Sequence, residues 1–352
     1  MTVTAMTGTM RAARFDGSIL SVQDVPIPVP GPGEVLVKVE ACGICLSDVH
    51  LLDGTLPMML PVVTPGHEAA GTIVEVGSQV PVWQPGDRVV LAGGRPCGRC
   101  RWCVRGRFED CEAFEIMGFN FDGAWAQYVV VPSPTLASVP DGIPIEQAAI
   151  LADAVSTPYA ALTERAALRP GEAVGLWGIG GLGVHAVQIA RLVGAAPIFA
   201  FDPLPSARER ALALGADFAL DPTAVDVEAE VRRLTDGRML DVAVDLVGSN
   251  RVLAQAASCL GRFGRCVMVG LSLDPVELGP GLFFGLQSQS LLGHLGYQKR
   301  HLDELVDLVR LGRLDVSGSV SALLPLEDVV KGVEQLTSKV GNPIRLVVQP
   351  WA

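Results

Sequence analysis

The pattern of apolar and polar positions divides the chain into three stretches. Over about residues 10 to 150 it alternates in short runs, as in Val35, Val37 and Val39 and the β-branched stretches Gly71–Val76 and Arg88–Leu91. Pro-Gly pairs at 30–31, 65–66 and 85–86 interrupt those runs. Alternation bounded by turn residues predicts strands, so this stretch reads as irregular and mostly β. From about residue 155 to 293 short apolar runs alternate with helix-periodic ones. Ala173–Trp177, Ala196–Phe201, Phe218–Leu220, Val242–Val247 and Cys266–Gly270 read as parallel strands, with Val184–Leu192 as the helix after the first. Such alternation predicts a doubly wound α/β sheet. In the last stretch His301–Leu311 places Leu302, Leu305, Val306, Leu308 and Val309 on one helical face. Val329–Leu336 repeats that pattern, and Ile344–Gln349 reads as a strand.

Length and charge narrow the reading. A chain of 352 residues exceeds one ordinary core, so two domains are expected. A formal net charge of −11 argues against nucleic acid or an anionic membrane as the main partner. A phosphate-bearing ligand stays open, because backbone N–H groups hold phosphate without a basic surface. The first ten residues lack the charged and apolar regions of a signal peptide and read as a loose tail before a strand around Arg11–Phe15. No apolar run reaches the roughly 18 residues of a membrane-spanning helix, and a cytoplasmic location is expected.

The candidate chemistry lies in three places. Cys42-Gly-Ile-Cys45-Leu-Ser47-Asp48-Val-His50 is followed, after a Pro- and Met-rich loop, by Pro65-Gly-His67-Glu68. Thiol, imidazole and carboxylate in one short segment are the ligand types of zinc. Cys97, Cys100, Cys103 and Cys111 have the spacing C-x2-C-x2-C-x7-C, which suits a closed structural zinc site. An iron–sulfur cluster uses similar spacings, but the Cys-Pro ending is missing. The remaining cysteines of the eight, Cys259 and Cys266, sit in apolar surroundings and read as core residues. Finally, Gly178-Ile-Gly180-Gly181-Leu182-Gly183 stands between a predicted strand and a predicted helix. In that context it matches the dinucleotide-binding turn, and Asp202, nineteen residues beyond Gly183, ends the next strand where a carboxylate bonds ribose hydroxyls. Such a carboxylate repels a 2′-phosphate and favours NAD over NADP.

Gly66-His67-Glu68-Ala-Ala-Gly71 with Gly77, together with the four-cysteine lobe, resembles the zinc-dependent medium-chain alcohol dehydrogenases over nearly the whole chain. The resemblance implies a GroES-like, mostly β catalytic domain over 1–156 and 295–352, and a Rossmann NAD-binding domain over 157–294. It implies two zinc ions per chain, with Cys45 rather than Cys42 as the first catalytic ligand and His67 as the second. Alcohol dehydrogenase zinc is commonly held by Cys2His. Here Asp153 occupies the third position, similar to a bacterial secondary-alcohol branch; thiolate and carboxylate carry the same charge, so the shell still balances Zn²⁺. Asp153 as the N-cap of a helix over Ala154–Leu162 is the competing reading. By the same resemblance Ser47 takes the proton of the alcohol, His50 ends a proton relay, Asp48 orients the ligand histidine, and Glu68 is a carboxylate able to approach the metal. Thr157, Gly270 and Leu271 would lie near the nicotinamide, and Arg345 would bind the pyrophosphate.

The activity so implied is reversible hydride transfer between an alcohol and a ketone or aldehyde, with a homodimer or homotetramer as the assembly. Leu56, Met117, Phe119 and Leu271 suggest an apolar substrate. A reductase of activated C=C or C=N bonds on the same scaffold is the alternative, against which Ser47 and His50 count. A catalytically idle binding protein would need a broken ligand set, and none is visible.

Overall fold

The alternating valines at 35, 37 and 39 lie wholly buried in one long strand, Glu34–Ile44, around which the first half of the molecule is built. We describe residues 6–278 and 280–352 from a computed structural model. Of the N-terminal tail expected from the sequence, residues 1–5 lie outside the described residues; the strand that follows runs Thr9–Phe15. The chain divides into two units, one comprising the chain up to Ser156 together with Gln298–Ala352, the other Thr157–Tyr297.

In the first unit a seven-stranded sheet follows the order Val320–Pro325, Arg345–Gln349, Glu34–Ile44, Ala69–Val76, Arg88–Leu91 and Leu136–Ser138, with Tyr128–Pro132 also paired to Glu34–Ile44. The C-terminal strand lies antiparallel to the end of Glu34–Ile44, with Leu346 opposite Ile44 and Val348 opposite Cys42. Residues more than 300 positions apart in sequence therefore share one ladder. Trp351 reinforces it, its Nε1 donating to Val39 O at 2.9 Å. Both faces of the central strand are packed, and its core includes Ile73, Met117 and Trp125, each fully buried. At Ile44 the strand ends and hands the chain to Cys45 and the helix Leu46–Leu52.

The second unit holds six parallel strands in the order Phe218–Leu220, Ile198–Phe201, Val174–Trp177, Leu240–Asp245, Leu260–Met268 and Ser290–Gly293. The chain builds outward from Val174–Trp177, then returns to its other side at Leu240–Asp245. That reversal creates a crevice at the carboxyl edge, the ligand position of open parallel sheets. The glycine turn, Asp202 and Gly270 all follow the carboxyl ends of strands.

The sequence pattern left several short strands unnamed, among them Leu20–Pro26, Tyr128–Pro132 and Leu136–Ser138 in the first unit, and two at sheet edges. Ser290–Gly293 is only four residues long and lies on the sheet edge, and Val320–Pro325 is half-exposed and ends in proline. Neither short edge position demands strict alternation. The strand expected over Cys266–Gly270 instead begins at Leu260, because Arg262, Phe263 at φ +62° and Gly264 break its apolar pattern without ending it.

Candidate metal centre and cofactor site

Cys45, His67 and Asp153 come from three separate elements, and their ligating atoms all lie within 4.8 Å of one another. Cys45 Sγ is 3.1 Å from Asp153 Oδ2, and His67 Nε2 is 3.9 Å from the same oxygen. Cys45 is the N-cap of Leu46–Leu52. His67 sits between the turn Pro65-Gly66 and the strand Ala69–Val76. Asp153 occupies a π-helical turn, Leu151–Val155, between α-helical segments Ile145–Ile150 and Ser156–Ala160. It is inside a helical run rather than at its start, which removes the N-cap reading. Single π turns re-aim side chains and recur at functional sites.

One buried carboxylate ties the first two donors together. Asp48 is fully buried; its Oδ2 accepts from the Cys45 backbone N–H at 2.9 Å. Its Oδ1 lies 3.1 Å from His67 Nδ1 and accepts from Gly66 N–H at 3.2 Å. Burial pushes the His67 imidazole down, but the Asp48 charge and the hydrogen bonds to Asp153, Asp48 and Cys45 together outweigh it, and the pKa rises well above the usual value. A carboxylate on Nδ1 fixes the tautomer that leaves Nε2 as the donor to a cation. The thiol, imidazole and carboxylate set therefore fits a divalent zinc ion in its donor chemistry, with two negative charges for two positive ones.

Behind the triad lies a second buried pair. Glu68 is fully buried; its Oε1 accepts from Ala154 N–H at 2.8 Å, which couples it to the turn carrying Asp153. Its Oε2 is 3.3 Å from Arg345 Nε, an ion pair without hydrogen-bond alignment. Burial pushes the Glu68 carboxyl up while the Arg345 guanidinium pulls it down. The neighbouring Gly43 is required, since a Cβ there would stand 1.9 Å from Glu68 Oε2. Arg345 is 2% exposed, donates Nη1 to Ile44 O at 3.1 Å and faces Glu68, while its Nη2 meets no hydrogen-bond partner among the described residues.

Ser47 and His50 stand on the helix that Cys45 caps. Ser47 Oγ is 3.2 Å from His67 Nε2, at the triad itself. The His50 side chain is 32% exposed and its Nδ1, 3.8 Å from Asp53, makes no hydrogen bond, so it stands between the buried site and solvent. The Phe119 ring centroid is 5.7 Å from that of His67 and gives the triad an apolar neighbour. Met117, suggested by the sequence as a substrate contact, is instead sealed in the core at 0% exposure.

The second cluster is contiguous. Cys97, Cys100, Cys103 and Cys111 also hold their sulfurs within 4.8 Å of one another, with Cys100 and Cys103 at 3.6 Å. Backbone N–H groups are aimed at the sulfurs: Cys111 Sγ accepts from Cys97 at 3.2 Å and Ala113 at 3.3 Å. N–H groups of Cys103 and Glu112 pull the Cys100 thiol down to about 6, whereas burial pushes Cys103 up to about 12. Four thiols, with no fifth donor in the cluster among the described residues, fit a closed structural zinc site.

In the second unit, Gly178 at φ +90° turns the chain out of Val174–Trp177, and a Cβ at Gly183 would stand 2.0 Å from Gly178 O. The turn is thus tight enough to demand both glycines. A Cβ at Gly180 would meet nothing within 4 Å, which leaves an open cradle in front of helix Gly183–Val193. Among the described residues the N–H groups of Gly180, Gly181 and Leu182 meet no backbone acceptor. Unpaired N–H groups at a helix N-terminus suit a phosphate.

Asp202 is 8% exposed and braces this turn, with Oδ2 accepting from Ile179 N–H and Oδ1 from Leu204 N–H, both at 2.8 Å. Arg208 donates Nη1 to the carbonyls of Asp202 and Pro203 and lies 3.4 Å from Asp221. Thr157 is 6% exposed, with its carbonyl 3.1 Å from His294 Nε2. Gly270 donates to Asp245 O, and a Cβ there would stand 2.1 Å from Gly248 N; Leu271 beside it is 37% exposed. His185, fully buried with Nδ1 2.9 Å from Gly181 O, was missed in the sequence. A polar residue within the buried apolar run Val184–Ala190 was the available signal.

Comparison with known proteins agrees with this chemistry. Residues 31–141 match the alcohol dehydrogenase GroES-like domain, and residues 181–310 match the zinc-binding dehydrogenase domain. An NAD-dependent alcohol dehydrogenase of Sulfurisphaera tokodaii is 34% identical over 339 residues, covering 93% of this chain and 96% of that one. An L-threonine 3-dehydrogenase of Pyrococcus horikoshii is 35% identical over 287 residues, 80% of each chain. The solved structure of an alcohol dehydrogenase from Thermus sp. ATN1 superposes with a TM-score of 0.90 at 31% identity, over 97% of this chain and 99% of that one. With a GroES-like catalytic domain, a Rossmann domain and both metal-ligand clusters, the chain belongs to the zinc-binding alcohol dehydrogenase family of oxidoreductases.

Proposed function

We propose that the protein is an NAD-dependent zinc alcohol dehydrogenase that oxidises an alcohol, secondary or apolar, and reduces the matching ketone or aldehyde. The observation that carries this reading is the convergence of Cys45, His67 and Asp153 beside the Ser47 hydroxyl. When bound, Zn²⁺ supplies Lewis-acid polarisation of the alcohol oxygen, and NAD⁺ supplies the hydride acceptor. Cys45 and Asp153 carry the charge that balances the ion, and Asp48 holds the His67 ring in place. Ser47 Oγ accepts the alcohol proton, and His50 passes it outward from its half-exposed position. Glu68, pinned by Ala154 N–H and Arg345, holds the turn that carries Asp153. Phe119 supplies apolar surface that excludes water from the reacting oxygen.

The glycine turn and Asp202 would hold NAD, with Thr157, Gly270 and Leu271 toward its nicotinamide end. Arg208, already engaged by two carbonyls and Asp221, is poorly placed to welcome a 2′-phosphate, which favours NAD over NADP. A homodimer or homotetramer is supported by exposed Leu282, Phe283 and Leu286 beside the edge strand Ser290–Gly293. A cytoplasmic location is supported by eight free cysteines, six of them in or beside metal clusters that require reduced thiols. No helix among the described residues is long and apolar enough to cross a membrane.

The test is cofactor reduction by purified protein across primary, secondary, cyclic and allylic alcohols, with NAD⁺ and NADP⁺ in parallel. Turnover with NAD⁺ on one alcohol class is expected. Silence across the panel, with zinc bound and NADH binding intact, would overturn the proposal in favour of a double-bond reductase.

A further inference from the structure

Helix Gly183–Val193 begins irregularly, and one carbonyl is left out of its ladder. Val184 N–H donates to Gly180 O, while His185 N–H and Ala186 N–H both donate to Leu182 O. His185 would reach Gly181 O in a regular α-helix; by shifting one residue it leaves that carbonyl to another donor. The donor is its own side chain, with Nδ1 2.9 Å from Gly181 O. A carbonyl oxygen only accepts, so Nδ1 carries the proton. The imidazole is fully buried, as are Val184, Ala186, Val187 and Ile189 of the same helix, and burying a polar ring costs free energy unless it is hydrogen-bonded.

The bond has a consequence for the neighbouring peptide group. In a trans peptide the C=O and the following N–H point in opposite directions. Holding Gly181 O back toward His185 therefore holds the Leu182 N–H forward, away from the helix. Leu182 N–H meets no backbone acceptor among the described residues, and two residues earlier a Cβ at Gly180 would meet nothing within 4 Å. Glycine at 180 and 181 gives this peptide little intrinsic resistance to rotation.

We propose that His185 is a positioning residue for cofactor phosphate binding: its side chain fixes the Gly181–Leu182 peptide so that the Leu182 N–H is presented to the dinucleotide. The inference rests on the NAD reading above and adds to it a residue that touches no cofactor. His185→Leu preserves volume and removes the donor. His185→Asn keeps an N–H where Nδ1 stands, and His185→Gln moves it to the distance of Nε2.

Two readouts separate the possibilities: NADH affinity by fluorescence titration, and backbone amide hydrogen exchange in the peptide spanning residues 179–184. His185→Leu and His185→Gln are expected to weaken NADH binding about tenfold and to speed exchange locally. His185→Asn should stay within about threefold of the parent on both, and kcat at saturating NAD⁺ should be unchanged in all three. Unchanged exchange and affinity in His185→Leu would overturn the proposal, as would equal impairment in Asn and Leu accompanied by faster exchange throughout the unit. Should the Leu variant not fold, the contrast between Asn and Gln decides by the same criteria. If the parent itself binds no NADH, the cofactor reading fails, and with it the phosphate role of His185; local exchange would then report only on the turn.

Discussion

The four-cysteine lobe and the Cys/His/Asp triad lie in the same unit, yet the fold assembles them by opposite means. The lobe draws all four donors from residues 97–111, with backbone N–H groups of that same loop aimed at its sulfurs. The triad draws its donors from residues 45, 67 and 153 and depends on a buried frame of Asp48, Glu68 and Arg345. Four thiols close a shell, whereas three mixed donors leave a position for substrate. A closed site needs only its own loop, but an open one needs the rest of the domain to keep three donors apart without a fourth to complete them.

If that contrast is right, the largest functional loss follows from the triad. Cys45→Ala should lower kcat/KM at least about a thousandfold, the several kcal/mol that a Lewis acid contributes, and remove one of two zinc ions per chain. Metal analysis and melting should show the second ion and most of the stability retained. The lobe should answer the other way. Cys100→Ser is expected to cost about 4 kcal/mol of stability, roughly 10 °C in Tm, while the folded fraction keeps kcat within about twofold. A lobe variant that melts normally but turns over poorly would erase the distinction.

Asp48→Asn probes the frame rather than a donor. The amide oxygen can still accept from Gly66 and His67, but an NH2 in place of Oδ2 cannot accept from the Cys45 N–H, so the three are no longer served together. Metal affinity at the triad or turnover should fall about 10- to 100-fold, with the lobe's ion unaffected, as competition with a chelator would read. The smallest effect belongs to an ordinary ion pair in the second unit. Burial raises the Glu172 pKa, but its 2.7 Å contact with Arg265 and the Arg169 N–H and charge together outweigh this and hold it below the usual carboxylate value. Glu172→Gln should cost about 1 kcal/mol at pH 7. Because the folded pKa is depressed, that contribution is complete above the unfolded value of about 4.3 and disappears as pH falls through the lower folded value. Denaturant unfolding at pH 7 and at about pH 3 should show the gap between variant and parent close.

The two clusters also differ in how far they could be read in advance. The spacing of Cys97, Cys100, Cys103 and Cys111 carries nearly its whole geometry, because the ligands and their N–H partners belong to one loop. Cys45 and His67 stood out through their motifs. Asp153 was legible only through family resemblance: nothing local distinguishes a helix-capping aspartate from one that a π turn aims at a metal. Nothing near Arg345 in the sequence points to Glu68, the buried carboxylate 3.3 Å from its Nε, which lies hundreds of residues earlier in the chain.

What the sequence determined by itself is the set of local structures. Alternating valines specified the buried central strand, the glycine run specified a tight turn before a helix, and the cysteine spacing specified the lobe. Each depends on neighbours within a few residues, where backbone geometry dictates what side chains can meet. Tertiary structure alone decided the pairing of Leu346 with Ile44, the edge strand Ser290–Gly293, the Glu68–Arg345 pair and the bond from His185 to Gly181. Most of these join distant residues through burial. His185 is a local exception, because only the shifted start of its helix leaves Gly181 O for the side chain, and no sequence pattern prints that shift.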